Sequence, residues 1–275
     1  MKKFSVLALL LFAAVSLSSC RVILVKDKSA LNRETIQPSE NIVDSLYTLA
    51  HFDAVKVSGA GKVLFTQGQE YLKVSAPDNL IDKISVSVEG TTLVIKPEFN
   101  SAGHLDDCLV YTLSCPSLEE IAVSGSVDFI SENTLSCSSL SVAASGSSDV
   151  LLQGLECSGD ADFTLSGSSD LNGFGLKARS VEVSLSGSCD MDVDGLVAQN
   201  VDVSGSGSTD VELKNLEVKK MDVALSGSGD ICLAGKADEV YFKLSGAADA
   251  DIRDLEYKDA SWSTSGSSTV KGTRK

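Results

Sequence analysis

The sequence is poor in proline, in aromatic residues and in positive charge. Its 275 residues include 4 Pro, 1 Trp and 2 His, and aromatic residues make up 5% of the chain. The 23 Lys and Arg residues are outnumbered by 38 Asp and Glu residues, which gives a net charge of −15. A nucleic acid would be repelled, so we expect no nucleic-acid partner. Apolar residues nevertheless reach 43%, which is enough for a folded core and excludes a disordered chain.

Residues 1–19 have the three-part pattern of a secretory signal peptide. Lys2 and Lys3 precede an apolar stretch from Phe4 to Leu17, which is too short to span a bilayer comfortably. The end of that stretch, Leu17-Ser18-Ser19-Cys20, resembles a bacterial lipobox. The resemblance implies cleavage before Cys20 and lipidation of that residue. The alternative is an ordinary secreted protein in which a cysteine falls at this point by chance.

Lipidation would make this protein a membrane-anchored one. Removing residues 1–19 takes away two lysines and no acid, so the net charge changes from −15 to −17. Because such an acidic surface does not adhere to anionic lipid, the acyl chains would have to hold the protein at the membrane. Residues 20–50 are polar without a sustained period and predict a lipidated cysteine followed by a tether. We expect a lipid-anchored protein of the cell envelope, at the outer membrane, facing either the periplasm or the exterior.

Residues 51–115 show the alternation that is typical of β-strands. Apolar residues occupy every second position, as at Val55 and Val57. Glu89-Gly90-Thr91-Thr92 separates two such runs and predicts a hairpin connection. Ser58-Gly59-Ala60-Gly61 precedes Gly125 by about three periods of the repeat that follows. We therefore expect this region to hold early coils of the same structure.

Residues 116–275 are organised by a sequence repeat with a period of about 20 residues. Its mark is a Ser-Gly-Ser-x-Asp unit or a close variant, whose glycines are Gly125, Gly146, Gly167, Gly187, Gly207, Gly227, Gly246 and Gly266. Apolar residues recur two, four and six positions before the glycine and four and six positions after it. One repeat could not bury these side chains alone, whereas stacked repeats bury them in a continuous column. The sequence predicts an all-β fold, a single-stranded parallel β-helix with one coil per repeat and coils about 4.8 Å apart.

Two columns of acidic residues follow the same period. One lies three residues after the glycine and holds Asp128, Asp149, Asp170, Asp190, Asp210, Asp230 and Asp249. The other lies five residues before the glycine and holds Asp162, Glu182, Asp202 and Asp222. Both sets alternate with inward positions, so we expect them to point outward. Each Asp either caps its own turn through backbone N–H groups, or the columns bind divalent cations such as Ca²⁺. No other cofactor is indicated.

The remaining six cysteines suggest two disulfide pairs and no zinc or redox motif. Cys137 and Cys157 are one period apart and so occupy nearly the same place in adjacent coils. Cys108 and Cys115 form a second candidate pair. Cys-x-x-Cys spacing is absent from the sequence, which argues against a metal or catalytic role.

The lead-in and the repeat together resemble a known family. Phe52-Asp53-Ala54-Val55-Lys56-Val57-Ser58-Gly59-Ala60-Gly61 is followed by Val63-Leu64-Phe65-Thr66-Gln67-Gly68 and then by the Ser-Gly-Ser-x-Asp units. This arrangement is similar to the head GIN domain family of auto-transporter adhesins. The resemblance implies a right-handed β-helix in a secreted or lipid-anchored envelope protein of unknown function, and it brings no catalytic residues. A C-terminal membrane barrel, which autotransport would need, is not seen before Lys275.

These features predict a non-enzymatic, adhesin-like head that binds glycan or a surface protein through its flat polar faces. The alternative is a structural envelope scaffold with no small ligand, associating laterally or end to end. A third hypothesis is a β-helical enzyme acting on polysaccharide. It would need a groove walled by insertions, whereas these repeats vary little in length. His51 and His104 precede the regular repeats and have no catalytic partner that spacing could identify.

Overall fold

The computed structural model describes residues 34–102, 105 and 108–272. The described chain is nearly all strand. Its elements are β1 (Thr35–Ile36), β2 (Ile42–Tyr47), β3 (Ala54–Gln67), β4 (Tyr71–Pro77), a 3-10 turn (Ile81–Lys83), β5 (Ile84–Glu89), β6 (Thr92–Pro97), β7 (Asn100–Ser101), β8 (Val110–Cys115), β9 (Glu120–Ser131), β10 (Leu135–Cys137), β11 (Leu140–Gly146), β12 (Asp149–Leu152), β13 (Leu155–Cys157), β14 (Asp160–Gly167), β15 (Asp170–Lys177), β16 (Ser180–Gly187), β17 (Asp190–Gly207), β18 (Asp210–Gly227), β19 (Asp230–Gly246), β20 (Asp249–Thr264) and β21 (Thr269–Lys271). Among the described residues, no helix is long and apolar enough to cross a membrane.

The strands wind into a β-solenoid of about eight turns, which confirms the predicted fold class. Each coil has three sides. The pre-turn sheet consists of the residues before the turn glycine, the post-turn sheet of those after it, and the short sheet closes the third side. Successive coils pair in parallel, one period apart, as β17 and β18 do from Asp190↔Asp210 to Gly207↔Gly227. The period of the sequence is therefore the length of one coil.

The core is a set of columns of buried side chains, one residue per coil. The middle position of the pre-turn sheet is occupied in consecutive coils by Val142, Phe163, Val183, Val203, Val223 and Phe242, each at most 1% exposed. Every second residue along the strand faces this core, and its neighbours face outward. Stacking equivalent positions buries apolar area without requiring any coil to fold alone.

The turn glycines are required both by backbone conformation and by packing. Gly187 has φ of +108°, and a Cβ there would lie 2.4 Å from the carbonyl oxygen of Gly167 in the preceding coil. The same carbonyl accepts a hydrogen bond from the Ser188 N–H at 2.8 Å. Any side chain at the turn would therefore separate two coils at the point where their backbones are bonded.

Buried polar side chains lie at the corner of several internal coils, two residues after the turn glycine. Ser148, Ser169 and Thr209 are at most 1% exposed, and Cys189 occupies the equivalent place between the last two. The Ser148 N–H donates to Ser169 Oγ at 3.3 Å, and each of these two hydroxyls donates to the carbonyl three residues earlier. Small polar side chains fit here because the turn leaves carbonyl groups that need donors. Periodicity of apolar residues alone does not reveal this column.

The N-terminal region departs from the predicted regular coils. β3 pairs in parallel with β9, so that Gly59 lies directly beside Gly125 despite their wide separation in sequence. The spacing had suggested three regular periods between these two glycines, but the intervening chain does not form them. It forms one outer coil, in which β6 and β8 pair in parallel with β3, and antiparallel strands, in which β5 pairs with β6 and β4 with β8. The predicted hairpin connection at Gly90, between β5 and β6, is confirmed.

The tether predicted for residues 20–50 is wrong for part of its length. Residues 42–47 form β2, which pairs antiparallel with β4 from Ile42↔Pro77 to Tyr47↔Leu72. Residues 35 and 36 pair with Asn100–Ser101. Val43 and Tyr47 pack partly against the core, which gives this polar segment enough apolar contact to be ordered. Cys20 and the signal peptide lie outside the described residues.

Candidate functional site

The acidic column of the post-turn sheet bonds one coil to the next. Oδ1 of Asp170 accepts a hydrogen bond from the Asp190 N–H at 3.2 Å, and Oδ1 of Asp210 accepts one from the Asp230 N–H at 2.9 Å. Asp249 accepts from the backbone N–H and the hydroxyl of Thr269. One of the two alternatives drawn from the sequence was that each Asp caps its own turn. For these side chains the N–H belongs instead to the next coil, because the acidic residues stand directly above one another.

Stacking also changes the acidity of this column. Burial, followed by repulsion from Asp170 and Asp128, raises the pKa of the Asp149 carboxyl above its ordinary value. Burial and then Asp170 likewise raise the pKa of Asp190. At the end of the column the direction reverses, since hydrogen bonds from Thr269 and then Lys271 lower the pKa of Asp249. Asp149 and Asp190, inside the column, therefore hold their negative charge less readily than isolated carboxylates do.

The acidic column of the pre-turn sheet lies in an open hollow of about 600 Å³. The four predicted residues, Asp162, Glu182, Asp202 and Asp222, are in register in consecutive coils. Basic side chains line the same hollow, where Arg179 binds Asp160 at 2.6 Å and Lys220 binds Asp222. Charge of both signs makes this a surface suited to hydroxyl-rich or zwitterionic groups.

Sequence reasoning missed the two basic residues of this hollow. Arg179 and Asp160 are 19 residues apart, which brings them together only when one coil lies on the next. A search for opposite charges one period apart would have found this pair.

Between the acidic columns runs a flat strip of small side chains beside the turn glycines. Ser184 and Ser204 occupy the same place in adjacent coils, and their hydroxyl oxygens are 3.2 Å apart. Ser226 Oγ donates to the Gly205 carbonyl at 3.4 Å. A shallow hollow of about 450 Å³ opens here, lined in part by Ser206 and Lys243. The contact between Ser184 and Ser204 shows that serines of adjacent coils can hydrogen-bond to each other along the stack.

The geometry gives no ready-made metal centre among the described residues. No group of three or more His, Cys, Asp or Glu side chains in that part of the chain is placed to hold a metal ion. The acidic side chains point outward, and several of them already accept a backbone N–H. Binding of Ca²⁺ along the columns, the second of the two alternatives that the sequence left open, is therefore a question for experiment.

The cysteines differ in how well the structure supports their predicted pairing. Cys137 and Cys157 are directly in register in adjacent coils, and both are free thiols. The Cys157 thiol lies within hydrogen-bond distance of the carbonyl oxygens of Ser138 and Asp160. Burial, and then the neighbouring Cys157, raises the pKa of Cys137 to about 12. The pairing of Cys108 with Cys115 is wrong. Cys115 is the last residue of β8 and Cys108 precedes that strand, so an extended segment of roughly 16 Å or more separates them.

A stacked parallel β-solenoid with periodic polar columns on its outer faces defines the class of this protein. The sequence profile of the family described as "Putative auto-transporter adhesin, head GIN domain" matches residues 51–214 and 181–273. The chain belongs to this family, as its lead-in and repeats had suggested. No functionally curated protein matches the sequence.

Solved structures of low sequence identity share the fold. A "putative adhesin" from Parabacteroides merdae superposes with a TM-score of 0.77 at 17% identity, covering 88% of this chain and 100% of the other. A "putative adhesin" from Bacteroides fragilis gives 0.70 at 22% identity, covering 86% and 100%. A "putative lipid binding protein" from Parabacteroides distasonis gives 0.78 at 18% identity, covering 88% and 100%. These similarities establish the solenoid.

Proposed function

We propose that this protein is a lipid-anchored, non-enzymatic adhesin of the bacterial envelope that binds glycan or another cell surface through its pre-turn sheet. The carrying observation is the outer face of that sheet. There the small-residue strip at Ser184 and Ser204 runs beside the acidic column in the same register, coil after coil. Contacts of one kind, repeated about every 4.8 Å, suit an extended polymer better than a single small molecule.

Family membership supports the adhesin part of the proposal, because the family description names an adhesin and no enzyme class. The lipid anchor rests on the Leu17-Ser18-Ser19-Cys20 sequence alone. Acyl chains at Cys20 would place the solenoid at a membrane surface, and the outer membrane is the one from which an adhesin can act. One structural relative is named a "putative lipid binding protein", so a lipid ligand is a second class to include in binding assays.

Location is tested by protease treatment of intact cells, followed by detection of the solenoid. A periplasmic protein of known location serves as the control. Loss of the solenoid while the control survives supports exposure on the cell surface. Survival until the outer membrane is made permeable would overturn the adhesin function and leave the envelope scaffold.

Binding is tested on arrays of neutral, acidic and amino-sugar polysaccharides and on lipid vesicles. Replacing Ser204 and Ala224 by Arg places two long side chains on the small-residue strip, in adjacent coils. The control replaces Val197 and Gln199 by Arg, which makes the same charge change on exposed positions of the short sheet. We expect the first variant to lose binding and the second to retain it. Equal binding by both variants would contradict the proposed face.

A further inference from the structure

The solenoid finishes at its N-terminal end in the edge of a sheet. Beyond β3, the post-turn sheet continues through β8 and β4 to β2, whereas the pre-turn sheet continues only through β6 to β5. Within the described part of the chain, β2 pairs with β4 alone, so it is the outermost strand of the longer sheet. Lysine and proline, which often protect such edges, do not occur in Ile42–Tyr47. The edge of β2 is therefore a template for another strand.

The backbone groups of every second residue of β2 point away from β4. The Asp78 N–H donates to the Asn41 carbonyl at 2.9 Å, so Asn41 is directed toward β4, and so is every second residue after it. Pro77, which has no N–H to donate, lies opposite Ile42, as this alternation requires. Three residues of β2 therefore direct their N–H and C=O groups outward: Ile42, Asp44 and Leu46.

Side chains on both faces of β2 would gain from a further strand. On the outer face, Leu46 is 71% exposed and Ile42 is 46% exposed. On the inner face, Val43 and Tyr47 pack only partly against the core. A strand laid along this edge would bond to the outward backbone groups and would also cover apolar side chains on the two faces.

We propose that β2 is a self-association surface, where two copies of the chain pair through antiparallel β2 edges with their N-terminal ends together. Residues opposite each other in an antiparallel pair point to the same face, so a twofold axis must pass through a residue. An axis at Asp44 would oppose two like charges. An axis at Ser45 instead sets Asp44 of one copy opposite Leu46 of the other, and their outward N–H and C=O groups then meet. This inference does not depend on the proposed adhesin function.

The side chains of β2 are complementary to themselves in this register. On the inner face, Val43 of one copy lies opposite Tyr47 of the other, which is a favourable pair of a β-branched and an aromatic residue. On the outer face, Asp44 keeps its ion pair with Lys73 of its own chain at 3.6 Å and has no like charge directly opposite. A second copy therefore supplies a strand whose length, alternation and side chains match this edge.

The oligomeric state is measured by sedimentation equilibrium of the full chain in density-matched detergent over a range of protein concentrations. Leu46→Pro removes an N–H that points away from β4, so it leaves the bonds between β2 and β4 in place. Leu46→Ser is the matched control, because it removes the same side chain and keeps the N–H. We expect a monomer–dimer equilibrium that the proline weakens by more than about tenfold and the serine much less. A monomer at every concentration, or equal weakening by both variants, would overturn the proposal.

The position of the axis is tested by cross-linking. An axis at Ser45 places this residue opposite its own copy, in a pair whose Cα atoms are about 4.5 Å apart and so within reach of a disulfide. Mild oxidation should therefore join Ser45→Cys into a covalent dimer on a non-reducing gel, beyond any that the wild type forms. Ile42→Cys is the control, since Ile42 is more exposed than Ser45 but lies opposite Thr48. No covalent dimer from Ser45→Cys, or as much from Ile42→Cys, would refute this register.

Discussion

The stacked turn glycines can be tested by replacing Gly187 with alanine. A positive φ costs a residue with a Cβ about 1–2 kcal/mol. In addition, the new Cβ would lie 2.4 Å from the Gly167 carbonyl oxygen, which must move by about 1 Å to reach ordinary contact. That carbonyl already accepts the Ser188 N–H, so the shift also weakens a bond between coils, at about 1–3 kcal/mol. We expect Gly187→Ala to lower the free energy of unfolding by about 2–5 kcal/mol in total.

Gly195→Ala separates the two causes. Gly195 also has a positive φ, +88°, but its nearest neighbours to a new Cβ are backbone atoms of Gly175 at 3.5 Å. We expect this variant to lose only the conformational part, about 1–2 kcal/mol. Guanidinium unfolding followed by far-ultraviolet circular dichroism gives both values under the same conditions. A loss for Gly187→Ala no larger than that for Gly195→Ala would refute the claim that contact between coils requires glycine.

Four further predictions concern the carboxylates, Ca²⁺ and the thiols. The pKa of the Asp149 carboxyl is raised on folding, so the folded state binds the proton more tightly and the free energy of unfolding falls as pH rises through that pKa. Asp149→Asn should therefore raise the melting temperature at pH 7. This gain should disappear near pH 3, where the native carboxyl is protonated. Arg253 lowers the pKa of Asp251 to about 2, so Asp251→Asn should lower the melting temperature at pH 7, an effect that fades as acid protonates the native carboxyl. Millimolar Ca²⁺ should leave the melting temperature unchanged relative to chelator, because several carboxylates already accept backbone N–H groups, whereas a clear rise would establish cation bridging. Mild oxidation should join Cys137 to Cys157, seen by thiol alkylation and mass spectrometry, and unchanged thiols at both would contradict the predicted bond.

The regular coils were predictable because each coil repeats the same pattern of glycine, apolar and acidic positions. Placing Gly167 over Gly146 in the sequence also places Phe163 over Val142 and Asp170 over Asp149, and the structure has all three pairs in register. The outward direction of the acidic columns follows from the same alternation.

The N-terminal coils and the bonds between columns were not predictable in this way. Alternation of period two is the same for parallel and antiparallel strands, so the hydrophobic pattern of β4 and β5 does not show that they run against their neighbours. Likewise, the spacing of Asp170 and Asp190 shows that they stack. Which N–H the first carboxylate accepts depends on the position of the next coil's backbone.

The position of β3 gives the solenoid a direction of assembly. One edge of β3 pairs with β6 and β8, which follow it closely in the sequence. The other edge pairs with β9, which comes later in the chain. When the chain becomes available amino end first, as it does during synthesis, residues 42–115 can therefore complete a seed before any regular coil forms. Each later repeat then pairs in parallel with the strands of the preceding, already folded coil. This pairing closes a loop of only about 20 residues. Folding can thus proceed from the N-terminal end of the solenoid, one coil at a time.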